Sequence, residues 1–182
     1  FYRQTMQRTL YLCRPEKHLL SKTPANSGRV GTLHETFPDA KFIYTTRHPA
    51  EVVPSTISLF AFQSGIFCDL LEPYPFGQHV LGMTKHWYRY TLRRLEQMPP
   101  GSYTIVRYRD LVRDLRGAIA DIYDALGFEI SSTYDRALQE EVTKARRYTS
   151  SHEYALEQMG LTREQIADEY RDVIERFGFE EP

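Results

Sequence analysis

The sequence predicts an α/β fold, a three-layer arrangement in which a parallel sheet is flanked by helices. Strand-like and helix-like segments alternate along the chain, which is typical of parallel strands joined by crossover helices. The three predicted strands also lead into polar residues, Lys22, Arg47 and Tyr108. Ligands of such sheets bind at the carboxyl ends of the strands. We therefore expect these three residues to open onto one common edge.

The strands are predicted from short runs of β-branched, aromatic and aliphatic residues bounded by turn residues. Residues 17–22 are expected to form a short strand that ends at a polar turn. Residues 41–46 are expected to form a buried strand, and residues 102–108 a third strand.

The helices are predicted from apolar residues at helical spacing together with start and stop signals. Predicted helices cover 29–37, a segment starting at Pro49, 79–98, 115–126 and 162–177. Pro49 suits the first helical turn, Gly127 suits a C-cap, and Thr162 with Gln165 forms a capping box. The stretch 65–77, with its prolines and glycines, is predicted to be a loop on the acceptor side or a lid.

Size and charge narrow the function classes. The 182 residues correspond to one domain, 1–182. A net charge of −1 gives no general surface for nucleic acid, so an anion site must be local. No apolar run approaches the roughly 20 residues of a membrane span. The two cysteines, Cys13 and Cys68, form no metal or disulfide pattern, which favours the cytoplasm as the compartment.

Arg47 and Ser55 have the chemistry of a phosphate site. Arg47 ends a predicted strand, and Ser55 lies in the early turns of the helix that follows. An anion there would meet a guanidinium fork, a hydroxyl and a helix N-terminus, whose dipole favours negative charge.

The surrounding residues resemble the sulfotransferase family. The similar segments are Lys22-Thr23-Pro24, residues 37–43, Arg47-His48-Pro49, Val53-Pro54-Ser55 and residues 106–112. The last segment looks like the family's Y-E-D-L sequence, with Arg109 in place of the acidic residue. The resemblance implies a P-loop-like fold. It also implies transfer of a sulfuryl group from 3′-phosphoadenosine 5′-phosphosulfate to an acceptor hydroxyl, with no metal.

The resemblance assigns roles to individual residues. Arg47 and Ser55 stand where the family binds the 3′-phosphate of the donor, and Tyr108 stands where an aromatic residue contacts the adenine. Lys22 stands where many members have a lysine near the bridging oxygen, which makes it the expected catalytic residue. Such a lysine stabilises charge that develops on the leaving oxygen.

Two features depart from the family pattern. The phosphosulfate-binding loop is expected upstream of Lys22, yet residues 1–21 contain no glycine and no such turn. Some relatives have a histidine as general base four positions after the lysine, where this chain has Asn26, which cannot accept a proton. We therefore expect either an N-terminally truncated sulfotransferase or a degenerate, non-catalytic relative that binds a nucleotide or a partner.

Several assignments stay open at the level of sequence. Arg146 and Arg147 are either a basic segment over the 3′-phosphate or a solvated charge pair. Trp87 is either core or acceptor pocket, and His48 and His152 are more readily explained as structural than as proton-transfer groups. The acceptor could be a carbohydrate, lipid, phenol or peptide. We do not expect the chain to be a small kinase, because it has no Walker-type glycine-rich loop.

Overall fold

The computed structural model of the chain describes residues 1–13, 18–69, 72, 74, 76–145 and 156–180. The strands are β1 (Phe42–Thr46) and β2 (Tyr103–Arg107). The helices are α1 (Tyr2–Cys13), α2 (Val30–Thr36), α3 (Pro49–Gly65), α4 (Gly77–Leu95), α5 (Tyr108–Arg113), α6 (Leu115–Leu126), α7 (Ser132–Ala145), α8 (Arg163–Glu169) and α9 (Arg171–Phe177). Short 3₁₀ turns cover Pro24–Arg29 and Leu156–Met159.

The sheet of the described residues consists of β1 and β2, which pair in parallel. The register runs from Phe42 opposite Tyr103 to Thr46 opposite Arg107. The connection between the two strands passes through α3 and α4, as a parallel crossover requires. Both strands were predicted, and the structure confirms them.

Two apolar clusters hold these elements together. The smaller one joins α2 and the end of α4 to one face of the sheet, through Val30 and Leu95 with Phe42 and Tyr103 packed against them. The larger one joins α3, α4 and the C-terminal helices, and its buried members are Val53, Ile57, Val80, Leu81, Tyr88, Leu156, Met159, Leu161, Ile166, Tyr170 and Val173. The helix that carries the predicted anion site is therefore anchored along its inner face.

The predicted helix signals act as expected. Pro49 occupies the first turn of α3, and Pro54 is accommodated inside that helix. Gly127 caps α6 in the left-handed region at φ 71°, where a residue with a side chain would be strained. The Thr162 hydroxyl accepts a hydrogen bond of 3.1 Å from the Gln165 amide at the start of α8.

The predicted strand at 17–22 is wrong for the residues that the structure describes. Residues 18–23 are irregular, and Leu20 is 85% exposed. A strand needs a neighbour to satisfy its backbone groups, and within the described residues β1 and β2 pair only with each other. The apolar pair Leu19-Leu20 produced a strand-like pattern without a ladder partner.

The other differences concern helix boundaries. The predicted helix 162–177 is two helices, α8 and α9, separated at Tyr170. The Tyr170 hydroxyl is buried and bonded to Thr84 and to the Leu81 carbonyl, so the residue at the break is anchored to α4 through its side chain. Helices α1, α5 and α7 were not predicted. Residues 66–76 lie between α3 and α4, and their role as a lid or acceptor-side loop stays a prediction.

Candidate anion-binding site

The register of the sheet places Arg47 and Tyr108 side by side. Thr46 and Arg107 form the last pair of the ladder, and Arg47 and Tyr108 are the residues that follow each of them. Both residues therefore stand at the carboxyl edge of the sheet, where the sequence predicted that they would meet.

The Arg47 guanidinium lies over the ring of Tyr108. The guanidinium carbon is 4.7 Å from the ring centroid, within the range of a cation–π contact. Tyr108 is 39% exposed, so its ring is accessible at the surface. The edge thus combines a delocalised cation with a flat aromatic face, the two features that a nucleotide phosphate and base would use.

Arg47 also forms a two-pronged ion pair with Glu51, one turn into α3. The Arg47 Nε donates to Glu51 Oε2 at 2.9 Å, and the terminal nitrogen donates to Oε1 at 2.7 Å. Each side chain of the pair retains about two fifths of its exposure. Glu51 therefore occupies the Arg47 fork in a bidentate geometry of the kind that a phosphate can also use.

The start of α3 completes the site. His48 is the N-cap of this helix, and its Nδ1 accepts a hydrogen bond of 3.0 Å from the Ala50 amide. His48 therefore has the structural role that the sequence favoured. Ser55 is half-buried on α3, four residues after Glu51, so it lies on the same face of the helix.

A buried tyrosine, Tyr88, supports the end of β1 through a hydrogen bond. Tyr88 of α4 is 4% exposed, and its hydroxyl donates a hydrogen bond of 2.6 Å to the Arg47 carbonyl. Burial raises the pKa of Tyr88, so the hydroxyl remains a proton donor throughout the neutral range.

Lys22 has no described contact with Arg47 or Tyr108. It lies in the irregular segment before Pro24, is exposed, and within the described part of the chain makes no hydrogen bond or ion pair. The prediction that Lys22, Arg47 and Tyr108 converge is therefore confirmed for Arg47 and Tyr108, and for Lys22 it stays a prediction without the strand on which it was based. Asn26 lies half-buried in the 3₁₀ turn that follows.

Four further sequence candidates have different outcomes. Arg146, Arg147 and His152 lie outside the described residues. Trp87 is half-buried and lies beside Gly28 of the 3₁₀ turn Pro24–Arg29, and the choice between core and acceptor pocket stays a prediction.

Glu51 and Tyr88 are the two residues of the site that sequence reasoning missed. Arg47 lies before the N-cap His48 and so outside α3, which means that the helical spacing of four does not predict its pair with Glu51. Tyr88 has no local signal either, because it reaches Arg47 from a different helix.

The described residues contain neither a metal-binding cluster nor a helix suited to crossing a membrane. No group of three or more His, Cys, Asp or Glu side chains there could hold a metal ion. Among the helices the structure describes, none is both long and apolar enough to cross a membrane.

Comparison with known proteins identifies the family. Residues 1–132 match the family described as the sulfotransferase family. The chain therefore belongs to the sulfotransferase family, as its motifs indicated. It is 32% identical over 173 residues to the omega-hydroxy-beta-dihydromenaquinone-9 sulfotransferase Stf3 of Mycobacterium bovis and of Mycobacterium tuberculosis. That match covers 92% of this chain but only 42% of the relative.

Solved structures confirm the fold class. The chain resembles sulfotransferase STF9 from Mycobacterium avium with a TM-score of 0.73 and 19% identity, over 87% of this chain and 41% of that one. It resembles sulfotransferase STF1 from Mycobacterium tuberculosis with a TM-score of 0.67 and 22% identity, over 86% of this chain and 40% of that one. The chain therefore has the α/β fold of sulfotransferases and spans about two fifths of the length of these proteins.

Proposed function

We propose that this chain carries the 3′-phosphate and adenine end of the donor site of a sulfotransferase. The enzyme would transfer a sulfuryl group from 3′-phosphoadenosine 5′-phosphosulfate to an acceptor hydroxyl. The observation that supports this most strongly is the Arg47–Tyr108 pair at the carboxyl edge, beside the N-terminus of α3. Membership of the sulfotransferase family supports the reaction type.

The residues at this edge fit one end of the donor. The Arg47 fork binds the two oxygens of Glu51, and a phosphate would share the guanidinium with this carboxylate. Ser55 would add a hydroxyl from α3. The face of Tyr108 would pack against adenine, while the bound donor would supply the sulfuryl group itself.

Lys22 remains the proposed group at the leaving oxygen. Its exposed side chain makes no hydrogen bond or ion pair within the described residues, so it has no contact to give up on meeting a sulfonyl oxygen. Arg146 and Arg147 remain proposed contacts of the 3′-phosphate. The non-catalytic alternative is not favoured, because both the family and the similar relative are sulfotransferases.

We further propose that the acceptor is a lipid alcohol. The relative Stf3 is named for an omega-hydroxylated dihydromenaquinone. In this chain the end of α3 and the residues just beyond it expose Leu59, Phe62, Ile66 and Phe67 at 47%, 70%, 62% and 88%. An exposed apolar surface of this kind is typical of contact with an apolar partner.

Cys68 is a free thiol, which supports the cytoplasm as the compartment.

The experiment that tests the donor site is calorimetric titration with 3′,5′-adenosine bisphosphate and with 5′-AMP. The wild-type chain should bind the bisphosphate more tightly, because only this ligand carries the 3′-phosphate. Arg47→Ala should weaken bisphosphate binding by about 2 kcal/mol, roughly thirtyfold, the range of hydrogen bonds to a charged group. Binding of 5′-AMP should change little.

Arg89→Ala is a matched control. Arg89 makes an equally two-pronged pair, with Asp172, but on the outer side of α4 rather than at the sheet edge. This variant should keep the preference for the bisphosphate. Equal affinity of wild type and Arg47→Ala for the bisphosphate would rule out the assigned role of Arg47.

A further inference from the structure

The hydrogen bond from Tyr88 to Arg47 links the core directly to the candidate site. Tyr88 is buried on α4, far from Arg47 in sequence, and its hydroxyl meets the Arg47 main-chain carbonyl at 2.6 Å. The contact is to the backbone, so it acts on the position of the whole residue.

The Arg47 carbonyl lies where regular backbone pairing ends. The ladder stops at the pair Thr46 and Arg107, and α3 begins only after its N-cap, His48. A carbonyl in such a turn needs a donor from elsewhere when it faces the core. Tyr88 supplies that donor, which fixes the direction in which the chain leaves the sheet.

Tyr88 is itself held on several sides. Its ring meets the Tyr170 ring edge to face, with centroids 5.7 Å apart. Val53, Val80 and Leu81 belong to the same buried cluster. The hydroxyl therefore has little freedom to follow Arg47 if the strand end shifts, so it can impose a position on that residue.

We propose that Tyr88 is a positioning residue for the anion site. By holding the Arg47 carbonyl it sets the guanidinium above the ring of Tyr108 and at the N-terminus of α3. Loss of the hydrogen bond would leave the strand end in the competent position for only part of the time. The apparent dissociation constant then rises in inverse proportion to that fraction. The inference rests on the proposed function, because the ligand is the 3′-phosphate of the donor.

The test compares Tyr88→Phe and Tyr170→Phe with the wild-type chain by calorimetric titration with 3′,5′-adenosine bisphosphate and 5′-AMP. Each variant keeps its ring and loses one buried hydroxyl. The Tyr170 hydroxyl bonds to Thr84 and to the Leu81 carbonyl rather than to Arg47, so this variant measures the general effect of such a loss. Thermal denaturation of all three proteins establishes that they are folded at the titration temperature.

Tyr88→Phe should bind the bisphosphate about fivefold more weakly or worse and lose much of its preference over 5′-AMP. Tyr170→Phe should keep that preference even where its melting temperature falls. Retained affinity and preference in Tyr88→Phe, or equal losses in the two variants, would overturn the proposal. No preference for the bisphosphate in the wild-type chain would instead overturn the proposed function, and this inference with it.

Discussion

Among the described residues, Arg47 contacts side chains from three helices, α3, α4 and α5. Its guanidinium is held by Glu51 of α3 and lies over Tyr108 of α5, while its carbonyl accepts a hydrogen bond from Tyr88 of α4. A flexible arginine would lose much conformational freedom on binding a phosphate. Here most of that ordering is already present, which favours affinity for an anion at this edge.

Replacing Glu51 by Gln tests whether ordering of Arg47 by Glu51 or repulsion between Glu51 and the phosphate has the larger effect on binding. The exposed pair contributes at most about 0.5 kcal/mol to folding. A phosphate and the Glu51 carboxylate would share one guanidinium, so removing the negative charge should strengthen bisphosphate binding by about 1 kcal/mol, roughly fivefold. Calorimetric titration at low ionic strength measures this.

Glu35→Gln is the control for the change in net charge. Glu35 pairs with Arg94, between α2 and α4, and has no contact with Arg47 among the ion pairs described. It should leave the bisphosphate affinity unchanged. Weaker binding in Glu51→Gln than in this control would mean that ordering of Arg47 outweighs repulsion.

At the level of single residues, the sequence predicted only part of the candidate site. Arg47 and Tyr108 could be predicted, because a residue that follows a parallel strand has a known edge of the sheet to occupy. Tyr88 could not, since its hydrogen bond depends on the depth at which α4 packs. Lys22 was placed at the same edge only because its segment was taken for a strand.

At the scale of elements, helix α4 packs tightly against the C-terminal part of the chain at its first residue, Gly77. Gly77 starts this helix and lies against the Met159 carbonyl, where an added Cβ would be much closer to the oxygen than van der Waals contact allows. The contact joins α4 to the 3₁₀ turn Leu156–Met159 and so to the C-terminal helices.

Gly77→Ala should therefore lower the free energy of unfolding by about 2 kcal/mol or more, because backbone must move to make room. Gly82→Ala, in the same helix, is the control. A Cβ at Gly82 meets nothing within 4 Å, so this change should stabilise by about 0.5–1 kcal/mol through helix propensity. Urea denaturation measures the free energy of unfolding of both variants, and similar midpoints for the two would contradict the packing argument.

Element prediction succeeded where a local signal matched the final packing. Helices α3, α6 and α8 begin or end at Pro49, Gly127 and Thr162 as their signals indicated. The single helix predicted after Thr162 is divided at Tyr170, whose side chain is bonded to α4, a contact that no local pattern encodes. The strand predicted at 17–22 failed for the complementary reason, since a strand exists only with a partner.

On the scale of the whole molecule, three tyrosines of the interior couple stability to pH. Burial raises the pKa of Tyr170 to about 12 and raises the pKa values of Tyr44 and Tyr88 further. The unfolded chain loses these protons near the ordinary value of 10. Above that pH the native state binds more protons than the unfolded state, so stability falls as pH rises.

We expect the melting temperature to be nearly constant up to about pH 9 and to fall steeply between about pH 10 and pH 12. Tyrosinate absorbance should show most tyrosines ionising near the ordinary pKa of about 10. The buried tyrosines should ionise only as the helical signal is lost. Complete ionisation of all 13 tyrosines with the helical signal intact would contradict this.

The parallel register has a consequence for how the site comes into being. Arg47 and Tyr108 are distant in sequence and become neighbours only when β1 and β2 have paired across the whole crossover through α3 and α4. Long-range parallel pairing is among the slower events of folding. The proposed nucleotide site is therefore complete only after the two strands have paired, and the appearance of bisphosphate binding during refolding would report closure of the sheet.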